Sequence, residues 1–306
     1  MSSPLRIGTR DSELALWQAN TVKNGLEALG HVAQLVPVKS LGDLVLDKPL
    51  YELGVTGIFT KTLDIALLKG EIDLAVHSMK DVPTQLPQGI VQVAVLKRAD
   101  AADVLVHRGL NFLNEEGIVA TGSLRRRAQW LHRYPLHEMV DLRGNVNTRL
   151  QKLEDSKWNA AIFAMAGLQR IGLLPENTTK LNWMLPAPAQ GAMVVVALEK
   201  DEETIDKVAA LNHTETELCT QIERAFLRTL EGGCSAPIGA LAKIKDQKVY
   251  FKGGLFSLDG KRTVTVEKEV AISAAKALGE LSAKEVLDTG GKEIMEDIRN
   301  ANGALN

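Results

Sequence analysis

One plan occurs twice in this chain. In the first half a short apolar run, "LRIGT", ends on the turn Thr9-Arg10-Asp11-Ser12 and passes into an amphipathic helix expected over 12–29. In the second half "GIVATGS" ends on Thr121-Gly122-Ser123 and passes into "LRRRAQWLHRY". Strands that feed helices in this way build βαβ units, whose parallel strands are covered on both faces and read as unbroken apolar runs. The continuation fits. "VAQLVPV" and "IDLAVHS" read as strands with a helix through "IFTKTLDIALLKG" between them, and "EMVDL", the helix "VNTRLQKLED" and the strand "AAIFAMAG" extend the second set. The expectation is two α/β domains of similar design.

Two linkers join them. "VQVAVLKRADAADVLV" lies between two extended runs, and "LPAPAQGAMVVVALEK" is a Pro/Ala linker, a Gly and then one more strand, read as returning to the first domain. Two crossings make a hinge, with a cleft expected between the lobes. From Thr214 the pattern changes: one helix, then an alternating run with an Asp-Gly turn that reads as a hairpin, then a helical tail. The predicted division is 1–97 with 192–211, then 98–191, and a small α+β domain over 212–306.

Composition narrows the function. The 306 residues carry a formal charge of −2, so no basic footprint points to nucleic acid. Two cysteines make no disulfide framework, and the six histidines show no metal-ligand spacing. No apolar run approaches the ~20 residues of a membrane span, and "MSSPLRIGTR" has no apolar leader core. A soluble, cytoplasmic monomer is expected.

Arginine is the strongest local signal. Arg125, Arg126, Arg127, Arg133, Arg143 and Arg149 crowd the stretch from Thr121 to Arg149, which holds no lysine. A guanidinium grips a carboxylate through two parallel hydrogen bonds, and Thr121-Gly122-Ser123 sits where a helix N-terminus favours an anion. Arg127 and Arg133 read as solvated helix charges; Arg125, Arg126, Arg143 and Arg149 read together as a site for several carboxylates. In "HSMKDVP", Lys80 and Asp81 leave a buried strand just before Val82-Pro83, which holds the chain extended. An aspartate there could act on a proton or on a positive charge, or be a turn residue. His77 reads as structural. Cys234 in "LEGGCSAPIG" follows a helix C-terminus, the wrong end for activating a thiol, so it suits either a group attached once or a packed turn. Cys219 reads as a packed thiol within the helix.

Taken in order, "GTRDSELALWQ", "LAVHSMKDVP", "TGSLRRR", "LRGNVNTRL", "MAGLQRIG", "PAQGA" and "LEGGCSAPIG" resemble the porphobilinogen deaminase (hydroxymethylbilane synthase) family across essentially the whole chain. The resemblance implies three domains, the first two like the lobes of periplasmic binding proteins. It implies a dipyrromethane cofactor held by a thioether to Cys234, on which porphobilinogen units are added head to tail with loss of ammonia. After four additions, hydrolysis releases hydroxymethylbilane. By motif position Asp81 would bind pyrrole N–H groups and stabilise the cationic azafulvene. Arg10, Ser12, Lys80, Arg125, Arg126, Arg143, Arg149 and Arg170 would bind carboxylates, with Thr121 and Ser123 adding contacts at the helix start; no metal is implied. Three stretches depart from the family pattern: Ser40-Leu41-Gly42-Asp43, Gly54-Val55-Thr56-Gly57-Ile58-Phe59, and Gly122-Ser123 before Leu124. Two other readings are a non-enzymatic polycarboxylate-binding protein, for which Cys234 and Asp81 would be dispensable, and a cysteine hydrolase, which lacks a histidine placed to activate Cys234.

Overall fold

The computed structural model describes residues 3–38, 60–230 and 236–303. These fall into two units, one of residues 3–38, 60–99 and 191–217, the other of residues 100–190 and 218–303.

The first unit is built on a five-stranded sheet. Strands β1 (Leu5–Thr9), β2 (Ala33–Pro37) and β3 (Leu74–Ser78) run parallel, with β1 between the other two. Past β3 the sheet is antiparallel: β10 (Met193–Leu198) pairs with both β3 and β4 (Ile90–Val95), giving the order β2-β1-β3-β10-β4. The strand after the Pro/Ala linker therefore does come back to the first sheet. Its first five residues, Met193–Ala197, are all buried, as a strand flanked on both sides must be. Helix α1 (Glu13–Ala28) buries Ala19, Val22 and Leu26, spaced i, i+3 and i+7, against Ile7, Leu74 and Val76. Helix α2 (Lys61–Leu68) buries Leu63, Ala66 and Leu67.

The second unit holds two sheets. The first has the order β7-β6-β8-β5-β9, from β5 (Asp103–His107), β6 (Ile118–Ala120), β7 (Glu138–Val140), β8 (Ala160–Ala164) and β9 (Thr178–Lys180). Here too the parallel strands, β7, β6 and β8, are joined to an antiparallel strand, β5. Helix α3 (Leu124–Arg133) seals one face with fully buried Trp130, whose Nε1 donates to His137 Nδ1 at 3.1 Å, and Arg133 lies 5.1 Å from the centre of the Trp183 ring. Helix α4 (Val146–Asp155) covers the other face with Leu153. The run read as one strand, "AAIFAMAG", stops at Ala164, and α5 (Met165–Arg170) begins directly after it.

The second sheet is the meander β11 (Ile238–Lys245), β12 (Lys248–Phe256) and β13 (Thr263–Ala271), covered by α7 (Thr214–Thr229), α8 (Leu278–Val286) and α9 (Lys292–Gly303). The expected hairpin is β12–β13. Gly260 sits in its turn at φ +74, and a Cβ there would come within 2.4 Å of the Ala128 carbonyl oxygen on α3. The same glycine carbonyl lies 2.7 Å from His132 Nδ1. Ala128, Leu185 and Phe256 pack together beside this seam. Sequence periodicity missed β11 and also α6 (Glu202–Ala209), which Asp201 caps by accepting from Thr204 N. It also misplaced the cap of α7. His213, not Asn212, accepts from the Thr216 N–H, while Asn212 accepts from Val95 N at 2.8 Å and so ties the helix entry to β4.

Candidate active site

In the first unit the expected residues gather at the C-terminal ends of two adjacent parallel strands, the usual position for ligands on open α/β sheets. β3 runs out at Ser78 into a single 3₁₀ turn, Met79–Asp81. Met79 is buried, and its N–H donates to the Ala192 carbonyl at 3.0 Å, which pins the turn to the start of β10. Val82 is extended at φ −85, ψ 131, as Pro83 requires, so the chain leaves at once and Lys80 and Asp81 stay half-buried at the sheet edge. Ser78 is fixed by Gln18 Nε2 on α1 at 2.9 Å. At the end of neighbouring β1, Arg10 is half-buried, and Ser12 opens α1 in an extended conformation with its hydroxyl unused for capping.

His77, buried beneath this edge with no hydrogen-bond partner on Nε2 among the described residues, is held neutral. Burial, and then the charge of nearby Arg10, push its pKa down to about 4. The unfolded chain binds a proton near pH 6.5 and the folded one does not until about 4, so stability is full above 6.5 and falls as pH drops between these values. The slope is about 1.4 kcal/mol per pH unit. Urea unfolding at pH 7 and pH 5 should show this loss, and His77→Gln should flatten the difference; an equal slope in the variant would remove His77 as its source.

In the second unit the first turn of α3 is the focus. Ser123 is its N-cap, with its Oγ facing the Arg126 N–H, and the Thr121 hydroxyl accepts from Ser123 N at 3.3 Å. Glycine is needed at 122 because a Cβ would stand 2.6 Å from the Leu142 carbonyl oxygen. This brings the end of β6 against the "DLRGN" turn, so Arg143 and Arg149 share the neighbourhood. Arg149 Nε donates to the Gly144 carbonyl at 2.7 Å, and α4 is capped by Asn145, which accepts from Thr148 N at 2.9 Å. Burial lowers the pKa of Arg143, and it lowers Arg170, at the end of α5, to about 10. Arg170 therefore stays protonated at neutral pH.

Arg125 and Arg126 turn inward. They are 5% and 6% exposed and share one fully buried carboxylate, Asp103, at the start of β5. Arg125 Nη1 donates to Asp103 Oδ2 at 2.7 Å and to the Leu185 carbonyl at 2.6 Å. Arg126 meets Asp103 Oδ1 through Nε at 2.9 Å and Nη2 at 2.7 Å, and donates to the Ile162 carbonyl through Nη1. Gln190 Nε2 donates to the same Oδ1 at 2.9 Å and to the Ala101 carbonyl. Burial alone would raise the Asp103 carboxyl, but the two guanidinium groups hold it well below the usual carboxylate range. Two cations on one anion leave a surplus positive charge in the interior, and Arg125 Nε is buried with no hydrogen-bond partner among the described residues.

Asp103 and Gln190 escaped sequence reasoning. The one available signal was an acid leading the otherwise apolar "DVLV". Cys234, Ser40 to Asp43 and Gly54 to Phe59 lie outside the described residues. Among the described residues no group of three His, Cys, Asp or Glu side chains could hold a metal, and no helix is long and apolar enough to cross a membrane.

Comparison with known proteins agrees with the motifs. Residues 5–206 match the porphobilinogen deaminase dipyromethane cofactor-binding domain, and residues 217–288 match the porphobilinogen deaminase C-terminal domain. The porphobilinogen deaminase of Chloroherpeton thalassium is 42% identical, over 99% of this chain and 100% of that protein. That of Trichlorobacter lovleyi is 43% identical over 96% of each. Among solved structures, an ancestral cationic amino acid solute-binding protein aligns with 68% of this chain and 87% of its own, at 14% identity and a TM-score of 0.44.

Proposed function

This chain belongs to the porphobilinogen deaminase family, and from that premise we propose the part each residue plays. The enzyme is a transferase of tetrapyrrole biosynthesis that joins four porphobilinogen units head to tail on a dipyrromethane primer and releases hydroxymethylbilane by hydrolysis. In each addition the substrate's aminomethyl carbon loses ammonia and bonds to the free α-carbon of the terminal pyrrole, which gives up a proton. The division of labour we propose follows the three predicted domains: 1–97 with 192–211 for Asp81, 98–191 for the arginines, 212–306 for Cys234.

Asp81 meets the positive charge that remains on the substrate carbon as ammonia departs. A carboxylate fixed by its backbone turn costs no reorganisation when that charge develops, which makes such a group effective. Lys80, Arg10 and Ser12, at the same sheet edge, take substrate carboxylates. Dipyrromethane, when bound, supplies the free pyrrole α-carbon from which the chain grows. Its acetate and propionate groups match the surplus positive charge around Asp103 and the unpartnered donor on Arg125, the observation that carries this part of the reading. Arg125, Arg126, Arg143, Arg149 and Arg170, with Thr121 and Ser123, would hold those carboxylates, and Cys234 would carry the thioether. We assign the enzyme to the cytoplasm as a monomer, with no nucleic-acid partner.

The test is the intact mass of the purified protein beside its Cys234→Ser variant, each before and after incubation with porphobilinogen, with ammonia followed in parallel. The wild type should carry the added mass of two linked pyrroles and release ammonia, and the variant should do neither. Ammonia release by an adduct-free variant at the wild-type rate would remove Cys234 from its role. A wild type that gained no mass and released no ammonia would be a binding protein.

A further inference from the structure

We propose that Asp103 is a positioning residue for the carboxylate site: it holds Arg125 and Arg126 in one fixed arrangement and leaves a single net positive charge for the ligand. The proposal rests on the reading that these arginines bind carboxylates. Three arguments carry it.

The first is geometry. Adjacent residues on a helix point about 100° apart, so Arg125 and Arg126 would not converge by themselves. Asp103 makes them converge, taking one guanidinium on Oδ2 and the other on Oδ1. Gln190 donates to Oδ1 as well and fixes the carboxylate itself. Main-chain carbonyls of Leu185 and Ile162 take one further N–H from each arginine, so both side chains are held along their length.

The second is charge. Without Asp103 two guanidinium groups would lie buried side by side, repelling each other. With it they carry a surplus of one, enough to favour an anion and small enough for a buried site to tolerate.

The third is placement. Leu185 and Gln190 belong to the linker that leads back to β10, and Asp103 begins β5 at the end of the other linker. The Leu185 backbone is further clamped by Gln129 of α3, whose Oε1 accepts its N–H at 2.7 Å and whose Nε2 donates to its carbonyl at 3.0 Å. The arginines are therefore referenced to the backbone of both linkers as well as to their own helix.

The experiment compares four full-length proteins: wild type, Asp103→Asn, Asp103→Glu and Arg126→Leu. Each is measured for the fraction carrying the pyrrole adduct, for the rate of adduct gain on incubation with porphobilinogen, for KM of the adduct-bearing protein, and for melting temperature. Removing a group that orients metal ligands costs about 10–100-fold in affinity, and a similar loss is expected here. Asp103→Asn should slow adduct gain by about that factor and lower the adduct fraction, with KM changed far less, because these arginines hold the cofactor's carboxylates and not the incoming substrate's. Asp103→Glu keeps the charge but displaces it by one methylene, so its adduct gain should slow a few-fold at a melting temperature close to wild type. A purely structural residue would move melting temperature and leave adduct gain alone. If Asp103→Asn does not fold, Asp103→Glu decides. Wild-type adduct fraction and adduct gain in whichever variant folds would overturn the proposal. Wild-type behaviour of Arg126→Leu would overturn the carboxylate reading beneath it; impairment of Arg126→Leu with a normal Asp103 variant would overturn the positioning role alone.

Discussion

Asp81→Ala is expected to lower kcat by at least about 10²–10³-fold, the usual cost of deleting one preorganised electrostatic group, while the protein keeps its fold. The fold should survive because the turn does not depend on the side chain. Its hydrogen bond runs from Val82 N to the Met79 carbonyl at 3.2 Å, its anchor from Met79 N to Ala192, and its plug is the Met79 side chain. The Asp81 side chain is half-buried and no described hydrogen bond uses it to hold the backbone. The loss should fall on kcat because the charge it answers exists only once ammonia is leaving. Asp81→Asn separates charge from shape. It keeps shape and hydrogen-bonding reach but removes charge, so it should be nearly as impaired as alanine. Steady-state rates beside a melting curve settle the matter: a kcat within tenfold of wild type in either variant would show that the charge of Asp81 is not what the reaction uses.

Glu223→Ala should be strongly destabilising. Glu223 is fully buried on α7, with one oxygen accepting from Ala242 N at 2.7 Å and the other from Ala189 N at 2.6 Å. It thus joins β11 to the linker that holds Gln190. Ala189 lies at φ +62, a left-handed conformation that costs a residue with a Cβ about 1–2 kcal/mol, and the bond from Glu223 helps to hold it there. Truncation strands two buried N–H groups at roughly 1–3 kcal/mol each. A loss of roughly 2–6 kcal/mol follows, read as a fall in the urea midpoint. Glu223→Gln keeps one acceptor but turns an NH₂ toward the other N–H, so about half the loss should remain. A midpoint within experimental scatter of wild type for Glu223→Ala would mean that water or a neighbouring acceptor takes over both donors.

What could be read from the sequence was whatever is written in contiguous residues. The strand–turn–helix units, the Asp259-Gly260 hairpin turn and the extended exit at Val82-Pro83 are local, and each carries its own backbone chemistry. The motifs around Arg10, Asp81, Thr121 and Arg143 were legible for the same reason: a strand end, a tight turn and a helix start lie within a few residues of one another. The inward turn of Arg125 and Arg126 was not legible. It depends on Asp103, 22 residues from Arg125 and on the far side of a sheet pairing that no periodicity announces. The same holds for Glu223, which looks like any surface acid on an amphipathic helix until β11 and the linker are brought to it. β11 itself escaped because "IGALAKIK" alternates only weakly and follows a proline.

The strand β10 has a consequence for how the protein is made. A chain leaving the ribosome emits β1, β2, β3 and β4 by residue 95, yet among the described residues β4 has no neighbour in the finished sheet except β10, at residues 193–198. The sheet of the second α/β domain draws all its described strands from residues 103–180. The domain begun second is therefore the first whose sheet can be completed. Until β10 arrives, the earlier segment must wait with one edge of β3 unpaired and β4 without a partner strand, the stretch of synthesis in which nascent chains have most to gain from a chaperone.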